Sequence, residues 1–227
     1  MCHRDVFSME RKKVMNKWEK TWKNSKGDFN VLARTYLNFV KSHIEKILED
    51  IPKKSNSIDV GCGTGRTMQW LKEFGFNPIG IDCSKSAVNR CKSLGLDVLL
   101  MDAYKTTFKD REFDLVFSAG VIEHFKDFQP IVDEMCRISK KYILLVQPNR
   151  SSLYRKLANI YYLFIPEKGP PELDYELEDF LESLSRNGFY LSKFSITPLD
   201  GCWVLLFKRM KSEGIASQST IQRKMHS

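Results

Sequence analysis

Three carboxylates, each at or near the end of a short apolar run, are the residues of this 227-residue chain best suited by type and spacing to act together. Asp59 follows Ser57-Ile58, Asp82 follows Pro78-Ile79-Gly80-Ile81, and Asp102 follows Val98-Leu99-Leu100-Met101. An ionised carboxylate only accepts hydrogen bonds, so this trio suits hydroxyls, amines and positive centres. Between the first two acids lie Gly61, Gly63 and Gly65, at alternate positions. Glycines there let the backbone take positive φ and let a ligand approach with no Cβ in the way. The turn is expected to present free N–H groups at a helix start.

A tight glycine turn alone occurs in many α/β proteins. Three successive strands that each end in Asp are harder to ascribe to packing, because ligands of parallel sheets bind at the C-terminal strand ends. Asp82 lies 21 residues after Gly61, about where nucleotide-binding α/β folds carry the acid that grips ribose hydroxyls. The dinucleotide fingerprint G-x-G-x-x-G is not met, since the third glycine comes one residue early and Arg66 follows it. The phosphate-loop Lys-Ser/Thr is absent as well. A ligand with a ribose, an amine and a positive centre fits better than a polyphosphate. S-adenosylmethionine (SAM), with its adenine amine, ammonium and sulfonium, meets that description.

Asp59-Val60-Gly61-Cys62-Gly63-Thr64-Gly65, Gly80-Ile81-Asp82 and Val121-Ile122-Glu123-His124 together resemble the class I SAM-dependent methyltransferases. The closest likeness is to the broad group typified by the ubiquinone/menaquinone-biosynthesis enzymes (methyltransferase type 11). The resemblance is tight over roughly residues 55–150. It implies SAM as cofactor, S-adenosylhomocysteine (SAH) as product, and cofactor contacts from Asp59, Gly61, Cys62, Gly63 and Gly65. It further implies Asp82 on the ribose, Cys83 against the adenine face and Asp102-Ala103 at the adenine amine edge. Ser118, with Ala119 and Gly120, would lie below the methyl donor. His124 would stand where the methyl emerges, as the candidate general base, with Glu123 either orienting it or capping backbone. Trp22, Tyr36 and Tyr154 are the candidate substrate contacts, from N-terminal helices and an insertion that usually form a lid in this group.

These residues need elements to hold them. Alternating strand and helix patterns imply an α/β fold with a doubly wound, mostly parallel sheet, and the resemblance implies the seven-stranded methyltransferase arrangement, an antiparallel strand near one edge, under a helical cap. A single domain is expected over 1–211, its cofactor-binding core at 55–150 and its N-terminal cap at 1–50. A lid insertion at 151–175 and a closing helix and strands at 176–211 complete it. Phe7, Val14, Trp18 and Trp22 mark one face of a first helix, and Leu32, Tyr36, Val40, Ile44 and Ile47 mark a second from about Phe29 to Asp50. Ser84 is a natural N-cap and Gly75, Gly95 and Gly188 natural helix ends. Phe189–Ile196 and Trp203–Lys208 read as an antiparallel pair across a short link.

The net charge of +8 is carried by the ends, +4 in residues 1–30 and +4 in residues 208–227. That leaves room for a nucleic-acid or anionic-membrane partner, but solvated ends are the favoured explanation. The tail at 212–227 reads as disordered and basic. No apolar run approaches a bilayer's thickness, and the charged first thirty residues do not read as a signal peptide. Six cysteines without a C-x-x-C pair, and four His without ligand spacing, point to reduced thiols, no metal and a cytoplasmic protein.

A small-molecule methyl acceptor, aromatic or lipid-like, is the leading expectation, methylated on O, N or C. An RNA or protein methyltransferase using the basic ends is the alternative. Strand four lacks the Asn/Asp-Pro-Pro-aromatic motif of amino-methylating nucleic-acid enzymes, and Glu123 lacks the paired glutamate of protein-arginine enzymes. A second alternative is a non-catalytic cofactor-binding module. The oligomeric state stays open.

Overall fold

The computed structural model describes residues 3–24, 31–149, 151–153, 156 and 172–210. Helices α1 (His3–Asn24) and α2 (Val31–Leu48) precede β1 (Asn56–Val60). Next come α3 (Arg66–Glu73), β2 (Asn77–Asp82), α4 (Lys85–Ser93) and β3 (Val98–Leu100). Then follow β4 (Phe113–Ala119), α5 (Gln129–Ile138), β5 (Ser139–Pro148), α6 (Leu177–Arg186), β6 (Phe189–Ile196) and β7 (Cys202–Arg209).

The seven strands form one sheet in the order β3-β2-β1-β4-β5-β7-β6. Strand β7 is antiparallel to β5 and β6, and every other pairing is parallel. The chain winds outward from β1 to β3, then returns to place β4 on the other side of β1. That reversal opens a crevice at the C-terminal ends of β1 and β4, where ligands of such sheets bind.

The apolar strands alternate between two covers. Ile143 and Leu145 pack with α5 and α6 residues such as Ile131, Met135 and Phe180. Leu144 and Val146, one residue out of phase, pack with Ile44, Leu48, Leu71 and Phe74 from α2 and α3. Fully burying one such side chain contributes roughly 1.5–3 kcal/mol, so the doubly covered centre of the sheet is its stiffest part.

Several boundaries differ from expectation. Val40, Ile44, Ile47 and Leu48 of α2 are core residues, so the second half of this helix covers the sheet and does not belong to a cap. Its heptad-like apolar spacing looks the same in either role. Strand β5 runs from Ser139 to Pro148, longer than the apolar run 142–146, because it starts directly where α5 stops. Gly75, at φ +91°, stands just past the C-cap Phe74. Ser84 caps α4 by accepting from the Ala87 N–H at 3.2 Å, as its residue type predicts. Residues 157–171 of the expected lid, with Tyr154 and the 212–227 tail, lie outside the described residues. Among the described residues, no helix is long and apolar enough to cross a membrane.

Candidate active site

The glycine turn is positioned by β1 before it and α3 after it. Gly61, Gly63 and Gly65 have φ of +75°, +52° and +84°. A Cβ at Gly61 would lie 2.4 Å from Val121 Cγ2, and one at Gly65 would lie 2.3 Å from Leu96 Cδ1. Gly61 thus lets the turn abut the residues after β4, while Gly65 lets it pack on the end of α4.

The free N–H groups expected of this turn are mostly engaged. Gly61 and Cys62 both donate to the Ile81 carbonyl, at 2.8 and 3.0 Å, and Gly65 donates to the Cys62 carbonyl at 2.9 Å. Gly63 donates to Asp82 Oδ2 at 2.9 Å. The turn is therefore stitched to β2 and is not an open phosphate cradle, in line with the absent phosphate-loop signature. Asp82 also accepts from the Ser84 N–H at 2.8 Å through Oδ1. Each oxygen of a carboxylate has a second acceptor site, so Asp82 is held rigidly and still has capacity for two hydroxyls. Burial raises its pKa, against the pull of the Ser84 and Gly63 N–H groups.

Around this turn lies a cavity of about 380 Å³, within the usual range for small-ligand sites of roughly 300–1,000 Å³. Its wall includes Gly61, Cys62, Gly63, Asp82 and Cys83, then Asp102 and Ala103, and across from them Trp22 and Tyr36. Nine expected site residues therefore share one cavity.

Four described candidates are not on its wall. Asp59 is 1% exposed and accepts from Thr67 Oγ1. Burial pushes its carboxyl up to about 7, the Thr67 bond pulling the other way. It braces the turn from beneath. Ser118 is fully buried and its Oγ donates to the Val60 carbonyl at 3.1 Å, linking β4 to β1. Gly65 serves helix packing. His124 sits on a 3-10 turn, Ile122–His124, its ring edge-on to Trp18 with centroids 5.0 Å apart. Chain position after β4 could not distinguish it from Glu123, which does line the cavity.

Helix α1 closes this side of the molecule. Its residues Arg11, Met15, Trp18 and Trp22 recur at helical spacing on one face. The Trp22 ring lies against Gly63, 2.9 Å from where a Cβ would be, and stacks on Trp18 at 5.2 Å. Trp22 therefore meets the glycine turn itself, although substrate contact was its expected role. Arg11 pairs with Asp102 and lies 4.3 Å over the Tyr104 ring. Asp102 Oδ1 accepts from the Tyr104 N–H at 2.9 Å. Glu19 accepts from Ser84 Oγ at 2.6 Å and from Ser86 Oγ and N at 2.5 and 3.2 Å. Those serine bonds hold the Glu19 carboxyl below its usual range. Arg11 and Glu19 escaped the sequence reading. The available signal was a pair of charges beside an aromatic stripe.

On α2, the Tyr36 hydroxyl lies 2.9 Å from Thr197 Oγ1 and donates to Cys202 Sγ at 3.1 Å. Its ring faces the cavity while its hydroxyl anchors the β6–β7 link.

Residues 58–145 match the family model described as a methyltransferase domain. The chain is 33% identical over 140 residues to a ubiquinone biosynthesis O-methyltransferase of Rickettsia prowazekii, covering 56% of this chain and 54% of that protein. It thus spans about half the length of that relative. It is 28% identical over 199 residues to an uncharacterised protein of Methanocaldococcus jannaschii, covering 83% of each. The crystal structure of magnesium protoporphyrin IX methyltransferase from Synechocystis PCC 6803 with bound SAH superposes with a TM-score of 0.65. That pair is 15% identical and covers 86% of this chain and 94% of the other, a likeness of fold. Residues 58–145 thus carry a match to a methyltransferase domain, and the chain as a whole shares the fold of a SAM-dependent methyltransferase of known structure.

Proposed function

We propose that this protein transfers a methyl group from SAM to a small-molecule acceptor, aromatic or lipid-like in its apolar part. The observation that carries the reading is one cavity with two unlike kinds of wall. Asp82 and the glycine turn offer a rigid carboxylate beside backbone stripped of Cβ atoms. Val121, Phe125 and Tyr36 add apolar wall to the same cavity.

The residues present fit SAM. Asp82 would hold the ribose hydroxyls. Gly61, Cys62 and Gly63 would let the cofactor lie against the turn, and Cys83 and Ala103 would flank the adenine. Asp102 would meet the adenine amine or hold Arg11 against it. Trp22, over Gly63, would cover the cofactor, with α1 as a cap. SAM supplies an already activated methyl group on a sulfonium. The chain's own part is to align donor and acceptor and to exclude water, and orientation alone can lower a barrier by roughly 7–11 kcal/mol. The described cysteines are free thiols, which suits a cytoplasmic setting.

Calorimetric titration with SAM, SAH and NAD tests the cofactor. Binding of the first two and not the third is expected, and binding of NAD alone overturns the reading. Asp82→Ala should keep the fold and weaken SAM by about 1.5–3 kcal/mol, the worth of a hydrogen bond to a charged group. Unchanged affinity would remove Asp82 from the site. Methylation of RNA or a protein substrate, with small phenols and amines ignored, would favour the macromolecular alternative.

A further inference from the structure

Glu123 is 4% exposed, yet it lines the cavity. Among the described residues its Oε2 has no hydrogen-bond partner. Its Oε1 lies 3.8 Å from His124 Nε2, beyond hydrogen-bond reach. A Cβ on Gly120 would sit 3.4 Å from Oε1, in ordinary contact. A buried polar atom without a partner is costly, the more so when charged. An orphan oxygen on a residue of the cavity wall is therefore a place where a ligand is expected to bring a donor. Val121, two residues earlier, packs against Gly61 of the glycine turn, which brings Glu123 close to the cofactor's part of the cavity. The Leu173 N–H donates to the Glu123 carbonyl at 2.7 Å and fixes its backbone.

We propose, resting on the methyltransferase reading above, that Glu123 is the catalytic group on the acceptor side, where its carboxylate receives the acceptor's O–H or N–H and takes that proton. The acceptor's lone pair forms the new bond to the methyl carbon. The carbon–sulfur bond breaks and its electron pair stays on sulfur. The proton shed by the acceptor passes to a Glu123 oxygen and leaves to solvent when product departs. His124 is a neighbour at 3.8 Å whose ring packs on Trp18.

The titratable groups facing Glu123 are His124 beside it, Glu172 on the segment before α6, and Cys202 at the start of β7. Asp82, Cys62, Arg66 and Asp102 stand further round the wall. Burial, and then the charge of Glu172, push the Glu123 carboxyl up to about 8, against its own backbone N–H. A base with a pKa near the working pH is well matched to its task. A sulfonium in the same cavity would favour the ionised form.

That coupling gives a test that needs no acceptor. SAM carries a sulfonium and SAH a neutral thioether, while their adenosine and amino-acid parts are the same. The ratio of SAM to SAH affinity should rise about tenfold between pH 6.5 and 9, one factor of ten for each pK unit by which the sulfonium lowers the carboxyl. Glu123→Gln should flatten that rise, and His124→Gln should keep it. In the unaltered protein, titrations at pH 7 in phosphate and in Tris should show SAM releasing up to one proton more than SAH. This last measurement stands whether or not the variants fold. A ratio flat with pH in the unaltered protein overturns the proposal. So does a rise that survives Glu123→Gln or vanishes only in His124→Gln. Failure of both SAM and SAH to bind at any pH would instead remove the cofactor reading beneath it.

Discussion

Two parts of the cavity are built on opposite rules. At the glycine turn every named polar group is engaged: Asp82 accepts from two N–H groups, and Gly61, Cys62 and Gly65 donate to carbonyls. Elsewhere on the same wall Glu123 has an oxygen with no partner among the described residues and a raised carboxyl. A satisfied network is rigid and repeats one task, whereas an unsatisfied buried group waits for something to complete it. The first part thus reads as a site pre-organised for one ligand. The second reads as a place where the ligand itself supplies the missing donor.

The seam between the two parts is Gly61 against Val121, and it should be the most sensitive point. Gly61→Ala places a Cβ 2.4 Å from Val121 Cγ2 at φ +75°. Left-handed backbone costs an alanine about 1–2 kcal/mol and overpacking about 1–3 kcal/mol. A loss of about 2–5 kcal/mol in urea unfolding is expected, with SAM binding lost alongside. Gly95→Ala is the control, since φ there is +70° and a Cβ would meet nothing within 4 Å. It should show the backbone cost alone. Equal losses at the two positions would mean that the seam is loose and the parts independent.

A smaller effect separates the parts by pH. Glu123 and Asp59 bind their protons more tightly in the folded chain, up to about 8 and about 7. Their stabilising contribution is full below the ordinary carboxylate range and is lost as pH rises toward those values, because the folded state then holds more protons than the unfolded one. The melting temperature should therefore fall between pH 5 and 8.5. For a chain of this size roughly 2–4 °C corresponds to each kcal/mol. Glu123→Gln should flatten the upper part of that fall, and Asp59→Asn the lower. Parallel curves for Glu123→Gln and the unaltered protein would place Glu123 in a solvated position.

The contrast also explains what could be read in advance. The turn, β2 and Asp82 carry their placement in residue type and spacing, since positive φ demands glycine and a strand end fixes where an acid sits. The doubly wound, mostly parallel sheet likewise follows from alternating apolar runs and helices. Position in sequence could not decide between Glu123 and His124, neighbours on one short turn that face different surroundings. Asp59 and Ser118 were misread for a related reason. A polar residue in a central strand can serve the ligand or the next element, and only the register shows that Asp59 turns to Thr67 and Ser118 to β1. The engaged N–H groups of the turn depend on its contact with Ile81, a pairing that spacing alone does not reveal.

The smallest predicted effect concerns what closes the well-satisfied part. Glu19 ties α1 to Ser84 and Ser86 at the start of α4, where a carboxylate also favours the helix N-terminus by about 0.3–1 kcal/mol. The bonds are partly exposed and screened by solvent, so their net worth is modest. Glu19→Gln should shift the melting temperature by no more than about 2 °C, on the same scale as above. Amide exchange should quicken in α1 while β1, β4 and β5 keep their protection, because local opening follows the weakest docking contacts. The lowered Glu19 carboxyl sets the sign with pH. Its contribution is present above the ordinary carboxylate range and is lost as pH falls through the folded value, so exchange in α1 should also quicken in acid and do so less in the variant. SAM should slow α1 exchange in both proteins if Trp22 covers the cofactor. Exchange in α1 that ignores SAM would make this helix part of the scaffold and leave the glycine turn without a cap.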